Sequence, residues 1–231
     1  MNTWLGELVK GLAPNVLLAS VVGSRLYGYA AEGSDYDVLG CFAHPTRELL
    51  RLRKPGDTIT YRDEIVDATL HEVEKFLRLM LKPNGNVVEA ALSPLTLVSS
   101  RWVSELRSLA EKCVCRRLYM HYRGYATEIL KRLDRRFDRK SVLSLYRTIL
   151  TGIHVLETGR YLFSLNALCE KYGVKIADSP DEVVEDARKL LEMLDEAYRR
   201  SNLPERPECE EEADSLLLRI RLYQGSRACQ G

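Results

Sequence analysis

Between Val21 and Gly40 the chain reads VVGSRLYGYAAEGSDYDVLG, a stretch rich in residue types that handle charged phosphates. An apolar run of strand length, Val16 to Val22, ends in Gly23-Ser24. After a short excursion, Ser34-Asp35-Tyr36-Asp37 opens a second apolar run that reaches Phe42. Residues two apart on a strand share a side, so Asp35 and Asp37 would stand next to each other. Crowded carboxylates repel unless a cation sits between them, and Mg²⁺, which takes oxygen ligands and shares its shell with substrate phosphates, suits such a pair. A glycine at position 23 lets backbone approach a phosphate closely, and the Ser24 hydroxyl with its neighbouring amides can donate to phosphate oxygens. A lone Asp-x-Asp is usually solvated turn chemistry. The joint pattern of strand, Gly-Ser and a returning Ser-Asp-x-Asp strand is much rarer, and it points to a metal-bound phosphate site.

These residues need a sheet to hold them. Leu5 to Leu12 has the pattern of a short helix stopped by Pro14, and Ile59–Arg62 with Glu64–Ala68 reads as a hairpin or a pair of neighbouring strands. Thr69, three residues before Glu72, has capping-box spacing. Val73, Phe76, Leu77, Met80 and Leu81 then form the apolar stripe of a helix that ends at Lys82-Pro83-Asn84-Gly85. A further short helix is expected over Asn86–Leu92. From about Arg101 onward strand signals vanish, and Arg101–Lys112, Cys115–Arg135, Ser141–Glu157, Arg160–Tyr172, Pro180–Ser201 and Glu208–Tyr223 all carry helical periodicity. Ser179-Pro180-Asp181-Glu182 is a strong helix start. The expected architecture is α+β: a mixed sheet with helices over residues 1–98, then an all-helical domain over residues 99–231.

The paired motif resembles the signature of the polymerase-beta nucleotidyltransferase superfamily. The fuller pattern, Gly23-Ser24-Arg25-x-Tyr27-Gly28 with Ser34-Asp35-Tyr36-Asp37, resembles the RNA-repair-pathway DNA polymerase beta family. Leu81-Lys82-Pro83-Asn84 through Glu89 to Ser93-Pro94 is similar to a second segment of that family, with Pro-Asn-Gly-Asn where the family has Asn-Pro. Lys140 through Tyr146-Arg147 to Gly152 and Gly159 is similar to a third. The resemblance implies a two-metal transfer of a nucleoside monophosphate with release of pyrophosphate, using Mg²⁺ or Mn²⁺. It also implies a third carboxylate on a neighbouring strand, for which Asp67 is the choice and Asp63 and Glu64 the rivals. Asp35, Asp37 and Asp67 are then the expected catalytic and metal-binding residues. Gly23, Ser24, Arg25, Tyr27, Lys140 and Arg147 are the expected nucleotide-binding residues. Arg25 and Tyr27 could instead be a surface arginine and a core tyrosine, and Lys140 and Arg147 part of a solvated basic face. The expected partners are a nucleoside triphosphate and an RNA end or a protein as acceptor. The alternatives are an antitoxin-type enzyme that adds AMP to a protein, and an inactive nucleotide-binding or interaction module.

The bulk composition sets limits. Lys plus Arg is 34 and Asp plus Glu 33 in 231 residues, so net charge does not announce a nucleic-acid binder. No apolar run is long enough to span a bilayer, and Met1 to Lys10 lacks the pattern of a secretory signal, so a cytoplasmic protein is expected. The six cysteines contain no CxxC pair, and free thiols are the default expectation. Scarce Gln with abundant Arg, Glu and Leu leans towards a thermophile, where intracellular disulfides also occur. His44, His71, His121 and His154 have no partners at metal-ligand spacing. Arg116 with His121 makes an R-x4-H spacing that resembles a toxin ribonuclease motif, a match expected by chance on an Arg-rich helix. Oligomeric state is left open, and the tail after Gln224 is expected to be disordered.

Overall fold

A computed structural model describes residues 3–227, with side chains to Tyr223. The chain runs α1 (Thr3–Leu12), β1 (Val16–Val21), α2 (Gly23–Leu26), β2 (Tyr36–Phe42), α3 (Thr46–Leu49), β3 (Thr58–Arg62) and β4 (Val66–Glu72). It continues with α4 (Val73–Leu81), α5 (Gly85–Leu92), β5 (Thr96–Ser99), α6 (Val103–Lys112), α7 (Leu118–Arg135) and α8 (Arg139–Thr158). It ends with α9 (Leu165–Tyr172), α10 (Pro180–Arg200) and α11 (Glu210–Arg227). The five strands form one mixed sheet in the order β3-β4-β2-β1-β5, with β2 and β4 parallel and the other pairs antiparallel. This is the expected α+β class, a mixed sheet with helices and a helical C-terminal region. The expected disordered tail beyond Gln224 falls outside the residues whose side chains are described.

Strand parity sorts the sheet into two faces. Val38 and Phe42 of β2, with Val66, Ala68 and Leu70 of β4, join Leu5 and Val9 of α1 in a small core beneath the sheet. Leu39 and Cys41 turn the other way, into a much larger core shared with α4 to α11. The alternation puts Asp37 on the side of Leu39 and Cys41. Asp67 and Thr69, out of phase with Val66, Ala68 and Leu70, fall on the same side. The site therefore faces the helices.

That alternation also corrects the expected start of α4. Thr69 lies inside β4, because the period-two burial of Val66, Ala68 and Leu70 carries the strand on to Glu72. The N-cap is Glu72, whose carboxylate accepts from the Glu74 amide at 2.9 Å. β5 is a strand the sequence reading did not contain. Its four residues, Thr96–Ser99, pair along the free edge of β1. α9 starts at Leu165, not Arg160, because Ser164 is extended and caps the helix by accepting from Ala167.

The helical half packs closely on itself and returns to the sheet. A Cβ at Gly152 of α8 would come within 2.8 Å of the Tyr122 Cβ and 2.9 Å of Leu194, so only glycine lets α8 lie this near to α7 and α10. All five cysteines among the described residues are free, and Cys113 and Cys209 bring their sulfurs to 3.5 Å in the interior. From α11, Arg221 reaches Glu72 with two bonds of 2.6 and 2.8 Å, and both side chains are largely buried. Removing one member of a buried pair leaves an uncompensated charge, which costs about 3–5 kcal/mol. Arg221→Ala is therefore expected to lower stability by roughly that amount in denaturant titration, and Glu72→Gln combined with Arg221→Met to recover most of the loss.

Candidate active site

Asp35 lies one residue ahead of β2, Asp37 is the second residue of β2, and Asp67 is the second residue of β4. In the parallel ladder Asp37 is the Cα partner of Asp67. Two carboxylates thus sit side by side on adjacent strands, with a third two residues upstream. Asp37 is half-buried; its backbone carbonyl accepts from the Val22 amide at 2.9 Å, but its carboxylate accepts no hydrogen bond among the described residues. Its pKa is raised, first by burial and then by the charges of Asp35 and Asp67, against the pull of Lys140 and Arg25.

The flanking carboxylates have cations. Lys140, in the first turn of α8, stands 3.6 Å from Asp35, and Arg62, at the end of β3, stands 3.6 Å from Asp67. Both cations are more than half exposed, so neither pair is a strong anchor. With the side chains turned this way, no three His, Cys, Asp or Glu groups among the described residues converge as a metal cage. The donor set still suits a hard divalent cation: three carboxylates and no nitrogen or sulfur ligand.

The Gly-Ser turn is fitted to Asp37. Gly23 has φ +66°, and a Cβ there would overlap the Asp37 carboxylate. The Ser24 hydroxyl is buried and has no hydrogen-bond partner among the described residues, an orphan that a phosphate oxygen would satisfy. The turn is held from behind by Ser93, whose hydroxyl donates to the Val21 carbonyl at 2.9 Å. Arg25 braces the loop between the two strands: it donates to the carbonyls of Ser34 and Asp35, and its guanidinium lies 3.8 Å from the centre of the Tyr36 ring. Tyr27 is only 1% exposed, packing edge-on against Phe163. Its carbonyl accepts from the Leu165 amide at 3.0 Å.

The three sequence motifs meet in one cleft of about 310 Å³, whose lining includes Gly23, Asp37, Asp67, Asn86, Glu89, Tyr125 and Arg147. Arg147 does not lie on a solvated face. It is nearly fully buried, 3.3 Å from both oxygens of Glu89 and over the Tyr27 ring. The Tyr122 hydroxyl donates to Glu89 at 3.0 Å and lies 3.1 Å from the Tyr161 hydroxyl. Burial pushes the Glu89 carboxyl up, and Arg147 and Tyr122 draw it back. Burial opposes the charge on Arg147, yet Glu89 and the surrounding tyrosines hold its pKa above the ordinary arginine value. Between Lys131 and Arg147 the sequence is rich in Lys and Arg, and the structure divides these residues: Lys140 turns to the site, Arg147 lies beneath it, and Arg139 is drawn away to Asp178 at 2.7 Å.

Arg62, Asn86 and Tyr125 belong to this site and were not singled out from sequence. Asn86 stands three residues before Glu89 on α5, a same-face spacing that could have flagged it. Arg62 and Tyr125 carry no such signal. No histidine joins the carboxylates. His121 packs on Gly85 so closely that no Cβ would fit there, and Arg116 is occupied by the Tyr198 carbonyl and ring. No helix among the described residues is long and apolar enough to cross a membrane.

A mixed five-stranded sheet presenting in-register carboxylates beneath a Gly-Ser turn, backed by helices, is an α+β architecture of nucleotidyltransferase type. The chain matches the RNA repair pathway DNA polymerase beta family over residues 3–228, and it belongs to that family. An uncharacterized protein of Methanocaldococcus jannaschii is 31% identical over 228 residues, a match covering 88% of this chain and 93% of the relative.

The raised pKa of Asp37 has a sign that can be checked. A carboxyl whose pKa is higher in the folded state destabilises the fold at pH values above that pKa, and the penalty disappears as pH falls below the unfolded value. Asp37→Asn is therefore expected to be more heat-stable than wild type at neutral pH without divalent metal, by about 2–4 °C per kcal/mol of relieved repulsion. The difference should close as the pH is lowered towards 4. A variant less stable than wild type at neutral pH would show that the carboxylate is structurally supported and not strained.

Proposed function

We propose that this chain is a Mg²⁺- or Mn²⁺-dependent nucleotidyltransferase that moves a nucleoside monophosphate from a nucleoside triphosphate to a hydroxyl acceptor, with an RNA end as the favoured acceptor. The observation that carries this reading is the parallel pairing of Asp37 with Asp67, with Asp35 one residue ahead of the same strand. Three carboxylates at one end of the sheet, one of them only partly offset by nearby cations, call for a divalent cation. Asp35, Asp37 and Asp67 would hold it, and the exposed side chains of Lys140 and Arg62 would give way. When bound, the metal neutralises phosphate charge and makes an attacking hydroxyl more acidic.

The protein groups then have distinct tasks. Ser24 and the amides beside Gly23 take phosphate oxygens. Lys140, released from Asp35, adds positive charge near the triphosphate. Arg147, fixed by Glu89, lies under the cleft as a permanent cation. Arg25 and Tyr27 keep the Gly-Ser turn and the strand that carries Asp37 in their places. In the transfer, the acceptor oxygen bonds to the α-phosphorus and the bond to the bridging oxygen breaks. Pyrophosphate leaves with that electron pair, and the hydroxyl proton passes to the Asp67 carboxylate.

The test incubates purified protein and Mg²⁺ or Mn²⁺ with each α-labelled nucleoside triphosphate, with and without short RNA, beside the Asp35→Ala/Asp37→Ala variant. Transfer of label to RNA that is lost in the variant is the expected result, and it names the base. Label on protein instead would assign a protein acceptor. No transfer and no metal-dependent triphosphate binding would overturn the catalytic reading.

A further inference from the structure

A second cleft, about 880 Å³, is larger than the one that holds the aspartates. It opens where the α4–α5 turn, the start of α7 and the α10–α11 connection meet, and Lys82, Arg117, Arg206, Met120 and His121 line it. The two clefts adjoin. His121 packs on Gly85, the first residue of α5. One turn further along α7, Tyr125 lines the aspartate cleft with its ring centre 6.4 Å from that of His121. Asn84 lines the large groove and caps α5 by accepting from the amide of Asn86, which lines the aspartate cleft.

The groove carries an unbalanced charge. Its one carboxylate, Glu205, is shared between Arg117 at 3.6 Å and Arg116 at 3.9 Å. Lys82 and Arg206 are exposed and have no ion pair among the described residues. Between these cations the surface is largely apolar or aromatic: Leu81, Pro83, Met120 and Tyr198 line it, and Met120 is 69% exposed. Burial holds the pKa of His121 down to about 4, so its ring contributes a neutral surface.

We propose that this groove binds the acceptor as a single-stranded nucleic acid, phosphates against Lys82, Arg117 and Arg206 and bases against Met120 and the His121 ring, with the strand end entering the aspartate cleft past Tyr125. The proposal rests on the nucleotidyltransferase reading above. Spaced cations alternating with apolar side chains are what a single strand needs, since its charge lies on one edge and its stacking surfaces on the other. An acidic peptide would satisfy the cations and leave the apolar strip without a partner.

The experiment measures binding of a short fluorescein-labelled single-stranded RNA by anisotropy over a range of salt concentrations, for wild type and Lys82→Ala/Arg206→Ala. Metal-dependent triphosphate binding is followed in parallel. Both side chains are exposed, so the variant should fold. Each lost phosphate contact removes about 0.7 from the single-strand salt slope, so the slope should become shallower by about 1.4 and affinity should fall on the order of tenfold at low salt. Triphosphate binding should stay the same. RNA binding with unchanged affinity and slope in the variant would overturn the groove assignment, as would wild type that binds triphosphate but no RNA. Failure of wild type to bind triphosphate at all would instead sink the transferase reading, a result that the parallel measurement separates.

Discussion

Like charges fixed on neighbouring strands are the constraint around which this molecule is arranged. Hydrogen bonding in the β2–β4 ladder sets Asp37 opposite Asp67, and the backbone cannot slip to relieve their repulsion without turning the apolar side chains of both strands out of the small core. The packing energy of α1 against Val38, Phe42, Val66 and Leu70 therefore holds the carboxylates together. Arg62 and Lys140 moderate the outer two, while Asp37 is left with its charge only partly offset. Such an arrangement is less stable than a neutral one would be, a common property of sites shaped for function.

The helical half completes the site from below. Glu89 and Arg147 come from helices far apart in the chain, yet they form one buried ion pair that Tyr122 bonds to and Tyr27 packs against. Neither charge could be buried alone. The pair ties α5, which lies in the chain between α4 and the edge strand β5, to α8, whose first turn carries Lys140. The position of Lys140 near Asp35 is thus linked, through one rigid helix, to a salt bridge beneath the cleft.

Much of this was legible in the residues. The apolar run, Gly23-Ser24 and the two aspartates specify local structure almost by themselves, because strand alternation and a turn glycine are short-range properties. Asp67 was reachable through the family resemblance, as a carboxylate of the Glu64–Ala68 strand, but its place opposite Asp37 depends on a parallel pairing that no local pattern encodes. The same gap explains the misread start of α4. Thr69 and Glu72 have capping-box spacing, and only burial of Leu70 in the lower core shows that the strand continues. Arg147 looked like one more residue of a basic run. Its burial follows from Glu89, 58 residues earlier, and pairings across such distances are tertiary facts. Glu72 is another instance, since its partner Arg221 lies 149 residues away.

That last contact bears on how the chain is made. A ribosome makes the sheet residues before α11, so Glu72, at the end of the strand that carries Asp67, is made 149 residues ahead of the guanidinium that pairs with it. Without Arg221, burying that carboxylate would leave an unpaired charge in the interior. α11 thus brings, from a late position in the fold, the guanidinium that lets Glu72 be buried at the end of the strand that carries Asp67.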